Sequence, residues 1–154
     1  MALAVFFVLV FVAASSGAIF KPDTWYEGLA KPWFTPPNWV FPVVWAILYV
    51  GIAFAGWLVW RETGFGVAVA LWGAQLVLNA VWSGLFFGMR RMDLAFAEVC
   101  TLMASVLAFI VAAWPVSPLA ALLFVPYALW VGIAAALNLS VWRMNPDAMR
   151  SSAG

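Results

Sequence analysis

The sequence predicts an all-α integral membrane protein, a bundle of five transmembrane helices with a long first loop that acts as a lid. The residues A, V, I, L, M, F, W, Y and C make up 68% of the 154 residues and charged residues only 8%, whereas about a quarter of a soluble domain is charged. A soluble chain of this length has too much surface for its volume to hide so many apolar side chains. The apolar runs are also too long, and alternate too little, for the strands of a membrane barrel.

The positions of the charged residues divide the chain into spans. Four gaps without charge run over residues 1–20, 32–60, 63–89 and 99–142. Because a span needs about 20 apolar residues, the first three gaps hold one helix each and the fourth holds two. Pro115 and Pro118 mark the connection between those two. We therefore expect helices at about 2–20, 40–61, 65–88, 93–113 and 118–142, in a single domain over residues 1–154.

The first predicted helix has an alternative interpretation as a cleaved secretory signal, since residues 13–18 are all small. A signal requires a basic segment before its apolar run. No Lys or Arg precedes this one. We therefore favour a retained transmembrane helix.

The basic residues predict the orientation of the bundle. Five spans put the two termini on opposite sides, and six of the seven basic residues then share the side of the C-terminus, leaving Arg61 alone on the other. The positive-inside rule places the C-terminus in the cytoplasm and the N-terminus outside for an inner-membrane protein. Helical spans favour an inner membrane, and an outer-membrane location stays open. The six basic residues are Lys21, Lys31, Arg90, Arg91, Arg143 and Arg150.

The composition excludes several kinds of chemistry. The chain has no histidine and a single cysteine, Cys100. Imidazole bases, histidine-bound zinc or haem and multi-cysteine metal sites are therefore not available. A net charge of +1 does not supply the basic surface that nucleic acid needs. We predict no catalytic acid–base group, no metal, no required cofactor and no nucleic-acid partner.

The first loop, residues 21–42, contains five prolines and three tryptophans. Prolines stiffen a loop by restricting its unfolded conformations. A stiff aromatic segment at the end of a helix bundle favours a lid over a binding site. Any one of these tryptophans has an equally good alternative as an anchor at the membrane interface, where Trp is enriched.

Polar and aromatic residues recur at helical spacing on three predicted helices. Such stripes point into a bundle, because an amide left in lipid is costly. Three stripes facing each other predict an elongated, mostly apolar pocket with few polar groups, which is the usual composition of a small-molecule site. For Gln75, a hydrogen bond between helices is as good an interpretation as ligand contact. The stripes are Phe41, Trp45 and Tyr49; Gln75, Asn79, Trp82, Ser83 and Phe86; and Tyr127, Trp130, Ala134, Leu137, Asn138 and Val141.

Two other features of the spans are less specific. Gly66, Ala70 and Ala74 form a small-residue stripe on the opposite face of the third helix from the amides. Such a stripe allows close helix approach, so we predict a homodimer face there, with packing inside one chain as the alternative. Glu98 is the one acid expected within a span, and we interpret it as reaching the interface, with a role in proton transfer as the alternative.

Three ordered motifs resemble the TspO/MBR family, the tryptophan-rich sensory proteins that are called translocator protein or peripheral-type benzodiazepine receptor in animals. The resemblance extends from residue 17 to residue 145. The first motif is Trp25-Tyr26-x-x-Leu29-x-Lys31-Pro32-x-x-x-Pro36-Pro37-x-Trp39-x-Phe41-Pro42-x-x-Trp45-x-x-Leu48-Tyr49. The second and third are Gln75-Leu76-x-Leu78-Asn79-x-x-Trp82-Ser83-x-x-Phe86-Phe87-Gly88, and Pro126-Tyr127-x-x-Trp130 followed by Leu137-Asn138 and Trp142-x-x-Asn145.

The resemblance implies a bacterial five-helix bundle, commonly a dimer, that binds porphyrins such as protoporphyrin IX. It implies that Trp45 and Trp130 are the pair associated with light-dependent porphyrin breakdown. The aromatic residue of the cholesterol motif of animal members is absent, since Leu139 and Ser140 stand there, so specific sterol binding is not expected. By motif matching, the pocket is lined by Tyr26, Pro36, Trp45, Tyr49, Asn79, Trp82, Trp130, Ala134 and Leu137.

Three functions are compatible with these features. We favour a membrane receptor or sensor that binds a porphyrin or a similar flat apolar molecule and regulates tetrapyrrole-linked or stress responses. A transporter of porphyrin or another apolar solute is the first alternative, although no internal repeat supports it. A light-dependent porphyrin-degrading enzyme is the second. A porphyrin has a flat π-system and carboxylates, so indole rings suit its faces, and Lys31 is a candidate partner for a carboxylate.

Overall fold

The computed structural model describes residues 1–19 and 23–148. Within these ranges the chain is helical and has no β-strand. The charged residues Lys21 and Arg150, which contributed to the predicted orientation, lie outside the described residues. The helices are α1 (Ala2–Ile19), α2 (Thr24–Glu27), α3 (Val40–Thr63), α4 (Val67–Ser83, continued by a π-helical turn at Gly84–Gly88), α5 (Met92–Ala113), α6 (Pro118–Leu123) and α7 (Val125–Met144).

Four helical segments of the described chain are long and apolar enough to cross a membrane. They are Val40–Thr63, Val67–Gly88, Met92–Ala113 and Pro118–Met144, with mean hydropathies of 1.4 to 2.3. Helix α1 is apolar but shorter. Each of the five segments that the sequence predicts corresponds to helix in the structure, with differences of a few residues at the ends.

The last span is interrupted near its start. Ser117 caps α6, its hydroxyl accepting a hydrogen bond from the amide of Ala120 at 3.3 Å. Pro118 occupies the first turn of α6, where its missing N–H has no cost. Helix α6 ends at Leu123, and α7 begins at Val125 with Pro126 in its own first turn. Pro126 therefore lies just after a break between two helices.

The core lies where the four long helices and α1 meet. Helix α5 packs against both α4 and α7, and α1 packs against α3 and α4. The buried residues of this core are apolar, with large contributions from Trp72, Phe109, Phe124 and Tyr127. Apolar burial stabilises the contacts between these helices less in lipid than in water, so close packing and hydrogen bonds between helices carry more of the fold.

The end of α4 is distorted at the point where it meets the first loop. Five residues, Gly84–Gly88, form a π-helical turn, a feature that is rare in proteins and often marks functional sites. Arg90 follows with a φ of 55°, a left-handed conformation that non-glycine residues adopt infrequently. The turn directs Phe86 and Phe87 towards Tyr26 of the first loop.

Glu98 does not reach an interface in the way the sequence led us to expect. Both of its carboxylate oxygens are buried and lack a hydrogen-bond partner among the described residues. An ionised carboxylate in such surroundings is costly. The carboxylate of Glu98 is thus enclosed by the protein, and the interfacial interpretation is wrong.

A candidate binding cavity inside the bundle

The helices enclose a cavity of about 620 Å³, within the 300–1,000 Å³ range of small-molecule sites. It extends from the first loop into the bundle, and its wall is mostly apolar and aromatic. Among the described residues that line it, none carries a charge. The lining residues are Ala14, Gly17, Tyr26, Asn38, Phe41, Pro42, Trp45, Ala46, Tyr49, Asn79, Trp82, Ser83, Phe86, Phe87, Val99, Leu102, Val131, Ala134, Leu137, Asn138 and Val141.

The structure brings most of the predicted pocket residues together at this cavity. All nine lie within the described ranges, and seven line the cavity: Tyr26, Trp45, Tyr49, Asn79, Trp82, Ala134 and Leu137. Pro36 and Trp130 do not line it. Pro36 lies in the first loop and is half-buried. Trp130 is buried behind Phe41 and Trp45, with centroid distances of 5.6 and 6.4 Å to their rings.

Trp45 is the centre of the aromatic wall. Its ring stacks on that of Tyr49 at 5.3 Å with an interplanar angle of 25°. The ring of Trp130 meets it edge-on, at 87°. Aromatic pairs prefer such offset and edge-to-face arrangements. The contacts hold the Trp45 indole in one orientation at the cavity surface, with the Trp130 indole directly behind it.

A continuous chain of hydrogen bonds runs from the cavity wall into the core. Tyr49 donates its hydroxyl to Asn79 Oδ1 at 3.2 Å, and Asn79 Nδ2 donates to the hydroxyl oxygen of Tyr127 at 2.7 Å. Tyr127 donates to Gln75 Oε1 at 2.8 Å, and Gln75 Nε2 donates to the Trp72 carbonyl at 2.7 Å. Gln75 is fully buried and does not line the cavity. The interhelical hydrogen bond, which the sequence left as an alternative to ligand contact, is what the structure contains.

A second hydrogen-bonded pair fixes Trp82. Its indole Nε1 donates to Asn138 Oδ1 at 3.1 Å, and Asn138 Nδ2 donates to the Met92 carbonyl at 2.9 Å. The Trp82 ring also stacks on Phe86 at 5.3 Å and 27°. The three elements α4, α5 and α7 are thereby joined at the cavity wall, and the Trp82 ring has a fixed orientation there.

Tyr26 connects the first loop to the cavity. Asp23 caps the short helix α2, its carboxylate accepting a hydrogen bond from the Tyr26 amide at 3.2 Å. The Tyr26 ring packs edge-on against Phe86 and Phe87. Burial raises the pKa of Tyr26 above its ordinary value of 10.0, so its hydroxyl is neutral at physiological pH. The Lys31 ammonium lies 4.6 Å from the Tyr26 ring centroid.

The middle of the loop is attached to the C-terminal end of α7. Asn145, just beyond α7, forms a pair of hydrogen bonds with the backbone of Ala30: the Ala30 amide donates to Oδ1 at 2.9 Å, and Nδ2 donates to the Ala30 carbonyl at 2.8 Å. Arg90 forms an ion pair with Asp23 at 3.4 Å. Trp33 and Trp39 differ from this fixed part of the loop, since they are 95% and 68% exposed.

Several lining residues are absent from the predicted set. Phe41, Ser83, Phe86, Asn138 and Val141 belong to the polar-aromatic stripes, so periodicity indicates them without assigning them a role. Apolar residues from the remaining helices carry no such signal. Val99 and Leu102 of α5, and Ala14 and Gly17 of α1, differ in no way from lipid-facing neighbours in the sequence.

The fold and the cavity define an integral, multi-pass helical membrane protein with an aromatic cavity inside its bundle. The chain belongs to the TspO/MBR family, whose sequence model matches residues 4–143. It is 42% identical over 150 residues to protein CrtK of Rhodobacter capsulatus, covering 93% of this chain and 92% of the relative. It is 42% identical over 132 residues to the tryptophan-rich sensory protein of Cereibacter sphaeroides (86% and 84%), and 40% identical over 126 residues to the human translocator protein (79% and 75%).

Proposed function

We propose that this protein is a membrane receptor or sensor that binds porphyrins such as protoporphyrin IX in its aromatic cavity and regulates tetrapyrrole-linked or stress responses. One observation carries the proposal: a cavity of about 620 Å³ inside the bundle, walled by indole, phenol and phenyl rings without a charged group among its described lining residues. The name of the Cereibacter sphaeroides relative, tryptophan-rich sensory protein, supports the sensor role.

The chemistry of the wall suits a flat apolar guest. Trp45 and Trp82 offer ring faces that stacking and hydrogen bonds hold in place, so binding requires little reordering of these side chains. The carboxylates of a porphyrin remain at the loop end of the cavity, where Lys31 lies beside Tyr26. The cavity interior, being apolar, receives the macrocycle.

The first loop acts as the lid of this site. The contacts of Tyr26 with Phe86 and Phe87 support this role, as does the attachment of Ala30 to Asn145. The Tyr26 attachment is made to the π-helical turn, and the Ala30 attachment is made to the end of α7. Release of either one opens the loop end of the cavity without unfolding a membrane-spanning helix.

The protein crosses the membrane five times, α1 being the first span. The N-terminus faces outward and the C-terminus faces the cytoplasm of a bacterial inner membrane. The basic residues Lys31, Arg90, Arg91 and Arg143 support this orientation, because they lie in the first loop, between α4 and α5, and at the end of α7, which are at one end of the bundle. Arg61 lies at the opposite end, in the last turn of α3.

The protein forms a homodimer through the outer face of α4. Ala70 and Ala74 are exposed on this helix, and a Cβ built at Gly66 or Gly73 meets no other atom within 4 Å. Gly66 is the residue that precedes α4. A face of small residues allows the backbones of two helices to approach closely.

A saturation titration tests porphyrin binding. Purified protein in detergent is titrated with protoporphyrin IX, and quenching of Trp fluorescence is followed against a protein-free micelle control containing N-acetyl-tryptophanamide. We expect saturable quenching at one porphyrin per chain. Non-saturating quenching equal to that of the control contradicts the proposal. Porphyrin flux into vesicles that contain the protein, at a rate above that of empty vesicles, favours the transporter alternative.

The contact between Trp45 and Trp130 favours a second candidate function, light-dependent porphyrin breakdown. The centroids of the two rings are 6.4 Å apart. If the Trp45 indole at the cavity surface is oxidised, the Trp130 indole behind it can therefore share that oxidation. Illumination of the porphyrin complex in the presence of oxygen tests this. We expect breakdown to slow in W45F and W130F; unchanged breakdown in both variants contradicts this second function.

A further inference from the structure

The cavity has a distinct inner end, which we call the floor. Each long helix that lines the cavity has one end near the first loop. On each of these helices, one lining residue lies farthest from that end. Tyr49 is nine residues into α3, which at about 1.5 Å per residue is roughly 14 Å from the helix start. The floor consists of these four residues, two polar and two apolar: Tyr49, Asn79, Leu102 and Val131.

The hydrogen-bond chain beneath the floor has only one possible direction. It ends on the backbone carbonyl of Trp72, which can only accept. The Gln75 amide must therefore present its nitrogen to Trp72 and its oxygen to Tyr127, whose hydroxyl hydrogen then goes to Gln75. The Tyr127 oxygen accepts from Asn79 Nδ2, and this leaves Asn79 Oδ1 to accept the hydroxyl hydrogen of Tyr49.

This direction determines what Tyr49 can offer to a ligand. A tyrosine hydroxyl has one hydrogen, and Tyr49 has committed its hydrogen to Asn79 at 3.2 Å. Reversing the chain would bring the Gln75 oxygen against the Trp72 carbonyl oxygen and leave the Gln75 oxygen without a donor, which is costly in a fully buried site. The hydroxyl oxygen of Tyr49, a residue that lines the cavity, can therefore only accept a further hydrogen bond.

We propose that Tyr49 is a specificity-determining residue whose oxygen accepts a hydrogen bond from an O–H or N–H donor on the inner edge of a bound planar ligand. The floor then prefers ligands that carry a donor on the edge opposite their carboxylates. This inference rests on the proposed function, because a porphyrin with its carboxylates at the loop end places its opposite edge at the floor. It adds a preference among planar ligands that the aromatic wall, being apolar, does not supply.

Two porphyrins that differ at this edge test the inference. Hematoporphyrin carries two 1-hydroxyethyl groups on the edge opposite its carboxylates, and its dimethyl ether carries methoxyethyl groups at the same positions. Dissociation constants of both are measured for the wild-type protein, Y49F and Y26F in the same detergent. Y26F is the matched control, because Tyr26 lines the cavity at the loop end and not at the floor. The ratio of the two constants within each variant cancels general changes in affinity.

We expect the wild-type protein to bind hematoporphyrin about fivefold more tightly than the ether, as one neutral hydrogen bond allows. In Y49F the ratio of the two dissociation constants falls to about one, whereas in Y26F the ratio stays at the wild-type value. A wild-type ratio of one, or a ratio that Y49F leaves unchanged, overturns the inference while porphyrin binding itself stands. If neither hematoporphyrin, its ether nor protoporphyrin IX saturates the wild-type protein, the proposed function fails instead.

Discussion

The indole of Trp72 lies directly against the backbone of Gly56. A Cβ atom built on Gly56 would lie 2.5 Å from Cε2 and 2.6 Å from Nε1 of this ring, and 2.8 Å from the Phe6 ring. The indole N–H donates to the Ile52 carbonyl of the same helix, α3, at 2.8 Å. The contact joins α1, α3 and α4 immediately below the hydrogen-bond chain that supports the cavity floor.

The first prediction concerns this contact. G56A adds a methyl group where no space exists, so α3 or the Trp72 ring must move. We expect a loss of about 1–3 kcal/mol in the free energy of unfolding, measured by thermal or denaturant unfolding in detergent. G51A is the matched control on the same helix, since a Cβ at Gly51 comes no closer than 3.7 Å to another residue, an ordinary van der Waals contact. Equal stability of both variants would refute the close packing of Trp72 on α3.

The second prediction ranks two tyrosines of the hydrogen-bond chain. Y127F removes a hydroxyl that both accepts from Asn79 and donates to Gln75, leaving two buried amide groups without this partner. Y49F removes a hydroxyl that only donates, at the cavity surface. We expect Y127F to cost about 1–3 kcal/mol and Y49F clearly less. An unfolding series in which Y49F is the more destabilised variant would contradict the chain as described.

The third prediction concerns the attachment of the first loop. N145A removes both hydrogen bonds to the Ala30 backbone. We expect hydrogen exchange at the Ala30 amide to accelerate roughly tenfold, which corresponds to the loss of about 1.4 kcal/mol of local protection. Amides in the middle of α5 serve as the internal control. Unchanged exchange at Ala30 would show that the loop is held elsewhere.

The fourth prediction tests the homodimer. In a C100S background, which removes the exposed Cys100, single cysteines are introduced at Ala74 on α4 and Ala136 on α7; both alanines are exposed. Oxidation in native membranes is expected to give disulfide-linked dimers for A74C and few for A136C. The opposite pattern, or equal cross-linking, would place the interface on another face.

The sequence predicts the helices well because charge spacing is a direct consequence of the membrane. Lipid excludes charged groups, so the gaps between them mark the apolar segments. The break near Phe124 is less predictable. Pro126 points to an irregularity, but the exact break depends on how Ser117 and Pro118 start α6. The π-helical turn at Gly84–Gly88 has no sequence signal beyond its two glycines.

The site was predicted less completely than the helices. Periodicity puts Trp45, Tyr49, Asn79 and Trp82 on inward faces, and all four line the cavity. Trp130 lies on an inward face too, but Phe41 and Trp45 stand between it and the cavity. Which of two inward-facing aromatic residues reaches the cavity surface depends on the rotation of each helix and on the neighbouring rings. A single sequence gives no information on either. The short helix α2 in the first loop was not predicted for a similar reason, since its four residues are too few for a periodic pattern.

Filling the cavity tests the central claim most directly. A134F places a phenyl group in the cavity from α7, whereas A136F places the same group on the exposed face of the same helix. Both variants are titrated with protoporphyrin IX after their unfolding temperatures have been shown to match that of the wild type within a few degrees. We predict that A134F weakens binding tenfold or more, corresponding to about 1.4 kcal/mol, and that A136F binds like the wild type. Wild-type affinity in A134F would contradict a porphyrin site inside the bundle.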